Sequence, residues 1–204
     1  MAKSQLIKDL AVGKIELDAA LRRLLIIVID LDNKKLNEWI KYELDGYPKS
    51  SFLPEYRKKI GGILKYSGFN GRIQVTNAPL PLQFLSEQYR DLAFGIDCKE
   101  GIALVKNYSK ENASIDYTYL APDVFQNSNN LISCVSITLK LNSSSYESIL
   151  SIITTKLIEI LMELEKEFGV LDNLDIDVEN SSNIEKVNNN INSYMMYDDR
   201  LGEF

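Results

Sequence analysis

Glu38, Glu43 and Asp45 lie close together in the chain, and Arg57 follows a few residues later. Grouped carboxylates with a guanidinium nearby are the parts of a metal-dependent hydrolase or nuclease, in which acids hold a divalent cation. The spacing works against that use. Glu38 and Glu43 are five residues apart, about 140° around an α-helix, so one face does not present both. Their stretch, Asn37 to Pro48, reads NEWIKYELDGYP and carries the only Trp. On a helix there, Trp39 packs inward while Glu43 and Asp45 are expected to face solvent.

Other chemistries are narrowed by what is missing. The chain has no His. A Ser-His-Asp triad, a Cys-His dyad and a His-dependent ribonuclease site all need an imidazole that titrates near neutral pH. Cys98 and Cys134 are far apart with no CxxC, so they read as ordinary thiols and no zinc site is expected. KIGGILK lacks the spacing of a phosphate loop. Asp175, Asp177 and Glu179 alternate, and on a strand would share one face, but a solvated edge is the simpler account. No metal and no cofactor is implied.

Positioning these residues falls to a helical front end. Ser4 is placed to cap a short helix stopping at Gly13. Leu17, Ala20, Leu21, Leu24, Leu25, Val28 and Ile29 form one apolar helical face, with Asp18 at its start. Asp32 or Asn33 caps the next helix, whose apolar positions are Leu36, Trp39, Ile40 and Leu44. Gly46 closes it and Pro48 prevents its continuation.

The middle changes period. A strand is expected from about Arg57 to Tyr66, a turn over Gly68 to Gly71, and a second strand through Ile73 to Val75. A short helix is predicted from Ser86; Asp97 to Ser109 reads as helix or strand, with helix favoured, and a Pro-started turn follows from Ala121. Ile132 to Leu141 alternates as a strand with one solvated side. The closing helix opens with a capping box, Ser144 to Glu147, and runs to Phe168. The fold class is therefore α+β: a helical layer with a long C-terminal spine helix packed on a small, mainly antiparallel sheet. Residues 1–169 read as one domain.

Residues 170–204 read as an acidic, Asn-rich C-terminal appendage. From Glu159 onward twelve acids face three bases, a net −9, which leaves +3 for the preceding residues out of the chain's −6. An acidic end repels phosphate backbones, so nucleic acid is not indicated as a partner. Tyr194, Met195, Met196 and Tyr197 make an apolar-aromatic patch that must dock on something, together with Ile191 and Phe204. Docking between chains is favoured, which predicts a homo-oligomer. No stretch approaches the roughly 20 apolar residues of a membrane span. No secretory signal is read at the N-terminus, so a cytoplasmic location is expected.

The front half resembles the AbiTii family of proteins associated with bacterial abortive-infection resistance to bacteriophage. The matching stretches are LRRLLIIVIDLDNKKLNEWIKYELDGYP and LPEYRK. In the family pattern, Glu38, Trp39, Glu43, Leu44, Gly46 and Tyr47 belong to a helix and its end, and Pro54, Tyr56 and Arg57 to the stretch after it. PLPLQFL and LIEILMELEKEFG follow the scheme more loosely. The resemblance implies an anti-phage defence protein, a toxic effector or sensor acting through binding and self-assembly, with a phage or defence-system protein as a candidate partner. It carries no established chemistry, so the carboxylate hydrolase or nuclease stands beside it as the alternative.

Overall fold

The computed structural model describes residues 3–111, 113–178 and 184–196. In chain order the elements are α1 (Gln5–Ala11), α2 (Leu17–Ile27), α3 (Lys34–Asp45), β1 (Gly62–Asn70), β2 (Ile73–Pro79), α4 (Glu87–Arg90), α5 (Ile102–Lys110), β3 (Ser114–Asp116), α6 (Ala121–Asn127), β4 (Ile132–Leu141), α7 (Ser143–Phe168) and α8 (Ile184–Met196). The fold is α+β. The chain forms two compact units.

The first unit lies within Met1–Tyr56, Lys99–Val105 and Ser148–Phe204. It holds α1 to α3, most of α7, and α8. Leu21, Leu24 and Ile27 of α2, Leu36 and Ile40 of α3, and Ile153, Leu157, Ile160, Leu161 and Leu164 of α7 are all buried. Asn33 caps α3 as expected, its side chain accepting from the Leu36 amide at 3.1 Å. Two expectations fail at the ends of helices. α2 stops at Ile27, two residues early, and Val28 and Ile27 fill the core while Ile29 turns out to 70% exposure. Ser4 occupies the N-cap position of α1 without capping it. Its hydroxyl instead donates to Glu165, and its amide donates to the same carboxylate oxygen at 2.6 Å.

The second unit lies within Arg57–Cys98 and Lys106–Glu147. Its four-stranded sheet has the order β2-β1-β4-β3, and every pairing is antiparallel. Consecutive strands β1 and β2 form the predicted hairpin. The first strand begins at Gly62 rather than near Arg57, because Glu55–Arg57 is a 3-10 turn, and it continues through the predicted turn to Asn70. At Gly68, whose φ is 154°, a Cβ would lie 2.1 Å from the Ser133 carbonyl. Only glycine lets β4 approach there, and the register of both neighbouring strands shifts beside it. The Pro-started turn at Ala121 extends into a full helix, α6, with Pro122 in its first turn.

Several of the described residues beyond Gly169 pack inward. Leu171, Ile176, Val187 and Ile191 are buried, and α8 lies against its own chain. Asn188 donates to the Leu31 carbonyl and accepts from the Asn33 side chain, and Asn190 donates to Glu163. Ile191 thus docks within its own chain. Its spacing from Val187 and Ile184 is a helical apolar stripe that a sparse, Asn-rich composition obscures.

Candidate functional site

The end of α3 and the loop after it make one hydrogen-bonded group. Glu43 is fully buried, contrary to the expectation that it faces solvent. Leu36, Ile40 and Glu43 follow one another at i, i+4 and i+7, so the inward stripe of α3 carries the carboxylate along with the apolar residues. A buried carboxylate needs donors. Tyr47 Oη donates to Glu43 Oε1 at 2.6 Å, and Tyr56 Oη donates to the same oxygen at 2.5 Å. The Trp39 indole in turn donates to Tyr56 Oη at 3.0 Å. Burial and then the adjacent Glu43 carboxylate hold the Tyr56 phenol well above its ordinary value, so it stays protonated and donating.

Gly46 makes this group possible. Its φ of 101° lies where side chains are strained, and an added Cβ would sit 2.8 Å from the Lys99 carbonyl oxygen. It is not the left-handed helix cap that was expected; with ψ at 161° it swings the chain sharply out of α3. The next amide, Tyr47 N–H, donates to Lys99 O at 2.7 Å. The turn thus lets one tyrosine bond through its main chain to Lys99 and through its side chain to Glu43.

On the outer side of the same residues lies an open pocket of about 490 Å³. Trp39, Tyr42, Tyr47 and Phe52 give it aromatic walls, Pro54 and Met195 add apolar surface, and Lys35, Glu38 and Ser51 complete the lining. The Tyr42 and Tyr47 rings lie 5.3 Å apart, tilted. Phe52 is 66% exposed.

The AbiTii family model matches residues 4–192. This chain belongs to the AbiTii family. The match runs past Gly169, where the motif-based resemblance stopped, and takes in most of α8. No curated protein and no solved structure matches the chain. AbiTii membership points to abortive-infection defence against bacteriophage.

The AbiTii motif residues of the first unit therefore have visible places. Trp39, Tyr47 and Pro54 line the pocket, Glu43 and Tyr56 lie in the hydrogen-bonded group, and Gly46 turns the chain between them. The three carboxylates have different surroundings. Glu38 is exposed at the pocket, Asp45 is exposed at the end of α3, and Glu43 is directed inward onto two phenols. Among the described residues no group of three or more Cys, Asp or Glu side chains is placed to hold a metal ion. Asp175 and Asp177 are exposed on either side of buried Ile176 with no strand beneath them, and Glu179 lies outside the described residues.

Arg57 begins the second unit and is buried, its Nη1 donating to the Cys98 carbonyl at 3.3 Å. Its own carbonyl accepts from the Cys98 amide at 2.8 Å. Cys98 and Cys134 are both free thiols, and burial pushes the Cys134 thiol up to about 11, which keeps it un-ionised at neutral pH.

Of the patch assigned to assembly, Tyr194 and Met195 are half-buried at the end of α8, and Met195 reaches the aromatic pocket. The Met196 side chain and Tyr197 lie outside the described residues. Sequence reasoning missed Tyr42, Phe52 and Lys35 as pocket residues. Trp39 and Tyr42 are three apart on one helix, a spacing that signals a shared aromatic face. It also missed Lys156, buried in α7, which donates to the main-chain oxygens of Tyr194 at 2.7 Å and Met195 at 3.3 Å, and which stands 5.8 Å from the centre of the Tyr56 ring. A cation at those carbonyls complements the C-terminal end of α8. Among the described residues no helix is long and apolar enough to cross a membrane.

Proposed function

We infer that this protein acts in abortive-infection phage defence as a toxic effector or sensor that works through binding and self-assembly. One observation supports binding over reaction. The family-motif residues of α3 and its following loop surround an open aromatic pocket, while Glu43, the buried acid among them, is engaged by internal hydrogen bonds from Tyr47 and Tyr56. Aromatic walls with few polar groups suit recognition of another molecule. Met195 belongs to the same pocket, so assembly through residues 170–204 and binding at the pocket would share a surface.

Inducible expression in a bacterial host, with and without phage, tests the reading. The expected result is growth arrest on induction or on infection, with fewer plaques than the empty vector gives. Unchanged growth together with unchanged plaque numbers would refute it.

A further inference from the structure

The aromatic pocket has charged surroundings of one dominant sign. Glu38 lines it and also lines a second, adjoining pocket along α3, with Leu25, Ile29 and Asn37. Lys35 borders the first pocket, and Lys34 and Lys41 border the second. The two together present three ammonium groups against one carboxylate, on a chain whose net charge is −6. A locally positive surface on an acidic protein attracts anionic partners and disfavours another copy of the same surface.

The walls restrict the ligand further. The Trp39 N–H is already donated to Tyr56, and the Tyr47 hydroxyl to Glu43. What remains toward the pocket from these two side chains is ring surface, complemented by Tyr42, Phe52 and Pro54. Ring surface favours a flat or edge-on aromatic guest, and about 490 Å³ exceeds what one such side chain needs, leaving space for the main chain that carries it.

We propose that this surface binds an acidic peptide segment of a partner protein, one of whose aromatic side chains sits among Trp39, Tyr42, Tyr47 and Phe52. The acids of the segment lie along α3 toward Lys34, Lys35 and Lys41. The inference rests on the binding role given above and names the chemistry of the partner.

Trp39 is the chain's only tryptophan, so its fluorescence reports on this pocket alone. The full chain is titrated with a synthetic peptide of Asp and Glu around one Phe, and with two controls: the same peptide with Phe→Ala, and one with Lys in place of the acids. The acidic aromatic peptide should bind saturably, more weakly as salt rises, and both controls should bind at least tenfold more weakly. Lys35→Glu/Lys41→Glu should weaken the acidic peptide by a similar factor with an unchanged thermal melt, since both side chains are exposed. Lys35→Arg/Lys41→Arg should restore it.

Equal binding of the basic peptide, no effect of the double charge reversal, or no binding up to millimolar peptide would overturn the proposal. The chain's own last residues, with Asp198, Asp199, Glu203 and Phe204, have a similar composition. If neutralising those three acids tightened peptide binding tenfold, the occupant would be this chain and the partner assignment would fall. Peptide binding without any phage phenotype would refute the defence role and leave the site standing. A phage phenotype without peptide binding would do the reverse.

Discussion

Tyr56 donates its hydroxyl to Glu43 across 2.5 Å, joining the loop after α3 to the buried face of that helix. Tyr47 completes the pair of donors on the same oxygen. A carboxylate held in this way is strongly coupled to its partners, because removing it strands two phenols whose donors were satisfied internally.

Glu43→Ala should therefore destabilise the protein by about 3 kcal/mol. Glu43→Gln, which keeps an acceptor oxygen, should cost less. Chemical denaturation midpoints measure both. An Ala variant as stable as the parent would show that the carboxylate is dispensable to the fold.

Trp39→Ala should cost about 3–5 kcal/mol, since the indole is only 8% exposed and its loss leaves a cavity. Trp39→Phe keeps much of the packing and loses the bond to Tyr56, about 1 kcal/mol. Urea unfolding of the two variants separates packing from hydrogen bonding.

Gly46→Ala places a methyl 2.8 Å from the Lys99 oxygen at a φ of 101°. The strain and the close contact together should cost about 2 kcal/mol or more. The Tyr47 amide bond to Lys99 should loosen with it, and hydrogen exchange at the Tyr47 amide should rise by at least tenfold. An unchanged exchange rate would mean the turn accommodates a side chain.

Lys156→Met removes the donor to Tyr194 O and Met195 O while keeping most of the stem. The loss should fall on α8, with amide protection over residues 184–196 reduced by about 1–3 kcal/mol and protection in α2 nearly unchanged. Uniform loss across both helices would show that Lys156 supports the whole unit.

Glu165 sets an acid limit on stability. Burial alone would raise its carboxyl, but the Ser4 hydroxyl and amide and the Lys3 ammonium, 3.1 Å away, outweigh burial and hold it below its ordinary value near 4.5. A carboxyl with a depressed folded value contributes stability that is fully present above the unfolded value. That stability is lost as pH falls through the folded one. Stability should therefore drop below about pH 4.5, and Glu165→Gln should be less stable at neutral pH with a shallower acid slope. Parallel acid limbs for parent and variant would remove Glu165 from this role.

The sequence determined what repeats locally. The i, i+3, i+4 pattern from Leu17, the Asn33 cap, the alternation through Ile132–Leu141 and the wide apolar stripe of α7 all became the elements they describe, because each spans enough residues to average out context. The family, too, was legible in NEWIKYELDGYP. The site was not. Glu43 was placed outward because a carboxylate is normally solvated, and its inward place is tolerated only because Tyr47 and Tyr56 converge on it from later in the chain. α8 was obscure because two buried residues, Val187 and Ile191, are too sparse to mark a helix by periodicity; its docking is secured by Asn33, Glu163 and Lys156, each distant in sequence. Side-chain type and local spacing fix secondary structure. Whether a polar group is buried depends on partners that only tertiary packing brings within 3 Å.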